Sequence, residues 1–253
     1  MRLSQRASKT HARSRSANPS YRIVIFEIVP MVQGHILCYH LDMTINWYGQ
    51  SCFRLESKGV SVLIDPFSKE IGLRPPRLND QIFLITHEHY DHNNVDGASP
   101  ESFVIRGPGE YEKSGVYVEG ISSYHDNAQG TQRGLSTIYL IRAEDMRLCH
   151  LGDLGQQKLT DEQVEQIGDV DILFIPVGGK YTIDGKEAAE IVKQIEPKII
   201  IPMHYKVPEL KIDIDGLQKF LKEIGIKPEE VETYKIAAKN LPTEETKLVM
   251  FKL

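Results

Sequence analysis

Residues 86–92 read THEHYDH, placing three histidines, one aspartate and one glutamate directly after the apolar run IFLI at 82–85. His87 and His89 are two residues apart, which puts them on the same side of an extended segment; on a helix they would point about 200° apart. The stretch therefore reads as a strand end running into a loop. It is not the helical HExxH pattern, because position 91, four residues after His87, is Asp. Asp91 and His92 follow at once, so a turning chain aims them at a second point close to the first. Imidazole and carboxylate are donors for zinc and neighbouring divalent ions, and four donors within residues 87–92 exceed what a solvated loop requires. With only nine histidines in the chain, this clustering marks His87, His89, Asp91 and His92 as candidate metal ligands.

Two other apolar runs end in a similar way. DILFIP at 171–176 leads into VGGKYTIDG, and KIIIP at 198–202 leads into MHYK. Strands apolar throughout belong in a sheet covered on both faces, and sites in such sheets sit just beyond the strand ends. Further strand signals fall at 44–49, 52–57, 60–65, 82–86, 102–106, 116–121, 136–142 and 146–150, each bounded by Gly, Pro, Asn or Asp. GPGEYE at 107–112 reads as a tight turn. Helical signals come later. TDEQVEQIG opens with Thr160 as N-cap and Gln163 three residues on, a capping box, and stops at Gly168. KEAAEIVKQIEP gathers Ala188, Ile191, Val192 and Ile195 on one face before Pro197, and DGLQKFLKEIG gathers Leu217, Phe220, Leu221 and Ile224 before Gly225. The expectation is an α/β fold of two mixed sheets sandwiched between helices, with the chemistry along one rim.

At 253 residues the chain suits one substantial core. Organised sequence begins at Met43, giving an expected domain over 43–253. Residues 1–22 are rich in Arg and Ser with no acid, a transit-peptide-like composition without the apolar face of an amphipathic helix. Residues 1–42 are accordingly expected to be a disordered extension or the product of a mis-assigned upstream start. They carry six Lys/Arg and two acids, leaving 24 basic against 33 acidic residues downstream, a net charge of −9. That balance argues against a nucleic-acid partner, since phosphate contacts need a basic face. Three cysteines without a CxxC pair suit a reducing cytoplasm. No apolar run approaches the roughly 18–20 residues of a membrane span, because YRIVIFEIVPMVQGHILCY is broken by Glu27, Pro30, Gln33 and His35.

HEHYDH matches the HxHxDH signature, and the chain resembles the metallo-β-lactamase fold hydrolases over essentially all of 43–253. WYGQSCFRLE, LIDPF, HLGDLG, PVGG and IPMHY resemble the branch that includes ascorbate-6-phosphate lactonase-like and uncharacterised metal-dependent hydrolases. The resemblance implies a four-layer αββα sandwich and two divalent metal ions, Zn foremost with Mn or Fe as alternatives. It implies that His87, His89 and the downstream His125 hold the first ion, and that Asp91, His92 and His204 hold the second. Asp153 would bridge both. His150 is the rival of His125 for the first ion, or a supporting group behind the ligands. Asp65 would orient a ligand histidine by accepting its other N–H, the usual supporting role.

The implied activity is hydrolysis of a small ester, lactone or phosphoester by a metal-bound hydroxide, with Asp91 beside the attacking water as the catalytic proton acceptor. Lys180, Tyr181, Tyr205 and Lys206 are candidate contacts to a small, anionic substrate. A secreted β-lactamase would carry an apolar signal segment, and the superfamily's diiron reductases carry Glu where this chain has His89. The alternatives are phosphodiesterase- or phospholipase-like hydrolysis with the same ligands, or a non-catalytic metal-binding scaffold.

Overall fold

The computed structural model describes residues 42–253. The expectations for the 1–42 segment fall on residues 1–41, which lie outside the described residues. Strands β1 (Met43–Gly49), β2 (Cys52–Ser57), β3 (Val60–Ile64), β4 (Ile82–Ile85), β5 (Phe103–Arg106) and β13 (Tyr234–Ile236) form a six-stranded sheet in the order β13-β1-β2-β3-β4-β5. The second sheet has eight strands. It adds β6 (Gly109–Lys113), β7 (Val116–Tyr124), β8 (Leu135–Ala143), β9 (Met146–His150), β10 (Ile172–Pro176), β11 (Ile199–Met203), β12 (Pro228–Val231) and β14 (Lys247–Phe251), in the order β12-β14-β11-β10-β9-β8-β7-β6. Both sheets are mixed: β3, β4 and β5 run parallel while β1, β2 and β3 alternate, and β9 to β11 run parallel while β6 to β9 alternate.

The burial patterns explain the pairing. β1 alternates buried and half-buried residues, as a strand with one covered face must, whereas β4, β10 and β11 are buried throughout. One core spans the two sheets, with Phe53 of β2 tilted against Phe174 of β10 at 4.6 Å between ring centres. Helix α1 (Asp161–Ile167) links β9 to β10, α2 (Gly185–Ile195) links β10 to β11, and α3 (Gln218–Ile224) follows β11. Such a helical crossover is what a parallel pair needs, because a short turn cannot return the chain to the same end. The capping box at Thr160 and Gln163 forms as the sequence predicts, and Asp184 with Glu187 supplies a second one at α2. The segments joining strands of the six-stranded sheet contain one described helical turn, Lys69–Ile71.

Residues 107–112 are not a simple turn. Gly107 and Gly109 adopt positive φ, and the chain then continues as β6, paired antiparallel with β7. β12, β13 and β14 also lie beyond the strands read from the sequence. No described helix is long and apolar enough to cross a membrane.

Candidate metal centre

The site gathers where strands end. Asp65 follows β3, THEHYDH follows β4, His125 follows β7, Asp153 lies three residues past β9, and His204 follows β11. Each of these residues sits just past the carboxyl end of its strand, the usual location for sites in open α/β sheets. Asp65 and His204 hold left-handed backbone conformations, at φ 46° and 51°, an uncommon state for residues other than glycine that collects at functional sites. Two glycines let neighbouring loops close on the cluster. A Cβ on Gly155 of HLGDLG would collide with the His125 carbonyl, and one on Gly178 of PVGG with the His204 carbonyl.

Asp153 is the hub. Its Oδ2 lies 3.2 Å from His204 Nε2, 3.3 Å from His92 Nε2, 3.5 Å from His125 Nε2 and 3.9 Å from His87 Nε2. Around it two groups of donors converge, His87 with His89 and His125, and Asp91 with His92 and His204. His89 is exposed, and its Nδ1 faces His125 Nε2 at 3.1 Å. Asp91 Oδ2 lies 3.4 Å from His92 Nε2 and accepts from Gln50 Nε2 at 3.0 Å.

Asp65 fixes two of the histidine rings. Fully buried, its Oδ2 accepts from His92 Nδ1 at 3.0 Å and from the Thr86 hydroxyl at 2.7 Å, while Oδ1 accepts from the Thr86 backbone N–H. With its proton given to Asp65, the Thr86 oxygen accepts in turn from His87 Nδ1 at 3.0 Å. Both rings then present a bare Nε2 to the centre. The Nε2 atoms of His87 and His92 are buried with no hydrogen-bond partner, a costly arrangement unless a cation takes their lone pairs. A third donor group, Asp65 with His87 and His92, is also close-set, but Asp65 spends its oxygens on these hydrogen bonds.

The electrostatics agree with a cation-binding centre. Burial pushes the His87 ring down to about 2, reinforced by neighbouring His92, so it stays neutral with its lone pair free. Burial also depresses His125. Burial by itself would raise Asp91 and Asp153, but His92 and His204 outweigh it and hold both carboxyls below the usual carboxylate range. At His92, burial is outweighed by Asp153 and Asp91, which raise the ring above its ordinary value and mark the position facing its Nε2 as one that favours positive charge. Neutral imidazoles and ionised carboxylates set round one oxygen are the donor set that Zn, Mn or Fe accepts.

His150 does not compete with His125. Fully buried, it donates from Nε2 to the Ser51 carbonyl at 2.9 Å and accepts at Nδ1 from Gly152 N–H at 3.2 Å, so both nitrogens are occupied. It supports the centre at one remove, because Ser51 Oγ donates to Asp153 Oδ1 at 3.2 Å. Cys149, its neighbour, points into the core.

A cavity of about 510 Å³ opens over the centre, lined by His89, Asp91, His125, Asp153 and His204 at its base. Of the four candidate substrate contacts only Tyr181 lines it. Lys180 pairs with Asp213 at 2.7 Å on the rim, Tyr205 is buried against Trp47, and Lys206 ties down the carbonyls of Leu210 and Ile212. For Tyr205 and Lys206 the reason is the turn at His204, after which the chain packs against Trp47 and the 210–212 segment. Arg133, Lys211, Glu70 and Tyr90 line the walls instead. Arg133 stacks over the Tyr181 ring at 4.6 Å, and its loop is fixed by Asp126, which accepts from four backbone N–H groups, Arg133's own among them. No sequence motif marks Arg133 or Lys211; they lie eight residues after His125 and seven after His204, in loops without a signature.

A family model described as β-lactamase superfamily domain matches residues 44–204. A UPF0173 metal-dependent hydrolase of Thermoplasma volcanium is 33% identical over 65% of this chain and 84% of its own length. A second, from Methanopyrus kandleri, is 25% identical over 75% of this chain and 96% of its own. Among solved structures, a metallo-β-lactamase superfamily protein of Thermotoga maritima is 35% identical, with a TM-score of 0.68 over 83% of this chain and 98% of that one. The fold, the donor set around Asp153 and these relatives agree: the chain belongs to the metal-dependent hydrolases of the metallo-β-lactamase superfamily.

Proposed function

We propose that the protein hydrolyses a small anionic ester, lactone or phosphoester at a dinuclear metal centre, with Zn the foremost ion and Mn or Fe as alternatives. The observation that carries this reading is the set of four imidazole Nε2 atoms within 3.9 Å of one buried carboxylate oxygen of Asp153. His87, His89 and His125 would hold one ion, Asp91, His92 and His204 the other, and Asp153 would stand between them. When bound, such a pair lowers the pKa of a shared water toward neutrality and polarises the carbonyl or phosphoryl group under attack.

The chain's own groups complete the chemistry. Asp91, oriented by Gln50 and lining the cavity, would accept a proton from water at its carboxylate. Asp65 and Thr86 keep the His92 and His87 rings in the tautomer that faces the centre. Arg133, resting over the Tyr181 ring and carrying no carboxylate partner among the described residues, suits a substrate carboxylate or phosphate; Lys211 adds a second positive charge. Cys52 and Cys149, buried and unpaired, fit a reducing cytoplasm.

The test is a panel of chromogenic esters, lactones, phosphomonoesters, phosphodiesters and β-lactams, offered to the Zn- or Mn-loaded protein beside its His204→Ala variant. Turnover of one class by the parent and not by the variant is expected. Loaded protein that turns over none of them would contradict the reading and favour a non-catalytic scaffold.

A further inference from the structure

The turn between β1 and β2 reaches both carboxylates of the centre without contributing a ligand. Gln50, fully buried with φ at 50°, donates from Nε2 to Asp91 Oδ2 at 3.0 Å. Its backbone carbonyl accepts from His204 N–H at 3.1 Å and from Trp47 Nε1 at 2.9 Å. Ser51, also fully buried, donates from Oγ to Asp153 Oδ1 at 3.2 Å and accepts at its carbonyl from His150. Two adjacent residues thus tie together segments that follow β4, β9 and β11.

We infer that Gln50 is a positioning residue for the Asp91–His92–His204 cluster alone, and Ser51 for the shared Asp153, so that the turn acts on one ion position through Gln50 and on both through Ser51. The inference rests on the metal-centre reading above. Gln50 is suited to the task by chemistry. A neutral amide N–H fixes the rotation of a carboxylate without bringing a positive charge that would compete with a cation. Its other atom, Oε1, is buried without a partner, so contact with Asp91 is the one polar interaction its side chain makes. The backbone contacts of Gln50 belong to the fold of the turn and do not depend on the side chain. Among the described residues no hydrogen bond runs from the turn to His87, His89 or His125; Thr86 meets His87, and His89 meets His125.

Gln50→Asn separates these parts. Asparagine tolerates the left-handed backbone, and its side chain, one methylene shorter, no longer spans the distance to Asp91. Gln50→Gly serves the same purpose should the first variant fold poorly. The full-length protein and its variants are titrated with Zn against a chromophoric chelator to resolve two stepwise affinities, and the visible spectrum of the Co-loaded forms is recorded. Loss of a partner behind a ligand typically weakens an ion about 10–100-fold, so Gln50→Asn is expected to weaken one ion by that factor and leave the other within about 2-fold. Ser51→Ala is expected to weaken both. A general loss of stability would not produce that split. Unchanged affinities in Gln50→Asn, or equal weakening of both ions, overturn the inference and leave the metal-centre reading standing. A parent protein that takes up no ion overturns both.

Discussion

The two donor clusters differ in how firmly they are held. In the Asp91–His92–His204 cluster, His92 is fully buried with its Nδ1 on Asp65, Asp91 is held by Gln50, and the His204 backbone is anchored to the Gln50 carbonyl. In the His87–His89–His125 cluster, His89 is exposed at the cavity floor, and its Nδ1 meets another candidate ligand instead of a supporting residue. The difference is one of support: every member of the first cluster is held by a residue outside it, whereas the second leaves His89 exposed beside the cavity.

The largest effect is expected at the residue the clusters share. Asp153→Ala should lose both ions and lower turnover on the order of 10³-fold, because it removes the carboxylate that four imidazoles face. Elemental analysis and kcat on the best substrate of the panel check this, and one full equivalent of metal in the variant would contradict it. Next comes Asp65→Asn. Aspartate and asparagine both tolerate the left-handed backbone there, so the loss falls on the hydrogen bonds to His92 and Thr86. Metal affinity should drop about 10–100-fold and stability by about 1–3 kcal/mol, read from chelator titration and denaturant unfolding.

A third comparison sets one histidine of each cluster against the other. With metal removed, His92→Ala should cost about 1–3 kcal/mol by leaving Asp65 short of a buried partner, whereas His89→Ala, at an exposed position, should stay within about 0.5 kcal/mol. Equal costs would show that the clusters do not differ in support. The smallest effect belongs to the wall. Arg133→Met should raise KM for anionic substrates about 10-fold while changing kcat little, since the guanidinium stacks on Tyr181 in the cavity wall and is not among the donor groups.

The two clusters were equally legible, each with two members within residues 87–92 and one on a distant loop. His87, His89, Asp91 and His92 are legible because four donors fall within residues 87–92 after an apolar strand. His125, Asp153 and His204 are single residues on distant loops, and only the family's pattern draws them together. Choosing between His125 and His150 needed hydrogen bonds, since a histidine beside a strand end looks the same whether its nitrogens are free or spent. Lys180, Tyr205 and Lys206 were drawn in by proximity in sequence to the site, and tertiary contacts claim them for other work. The layered fold was legible from the fully apolar strands and capped helices. β6 was hidden by the glycines that shape its start, and β12 by two exposed glutamates at a sheet edge, where no alternation of apolar residues is imposed.

The metal stoichiometry of the folded protein decides whether the proposed two-ion centre forms around Asp153. After equilibration with Zn or Mn and removal of free ion, elemental mass spectrometry should find close to two ions per chain in the parent, with the Asp153→Ala variant close to none. Folded parent protein that retains no ion under either metal, or a variant that binds as the parent does, would contradict the account.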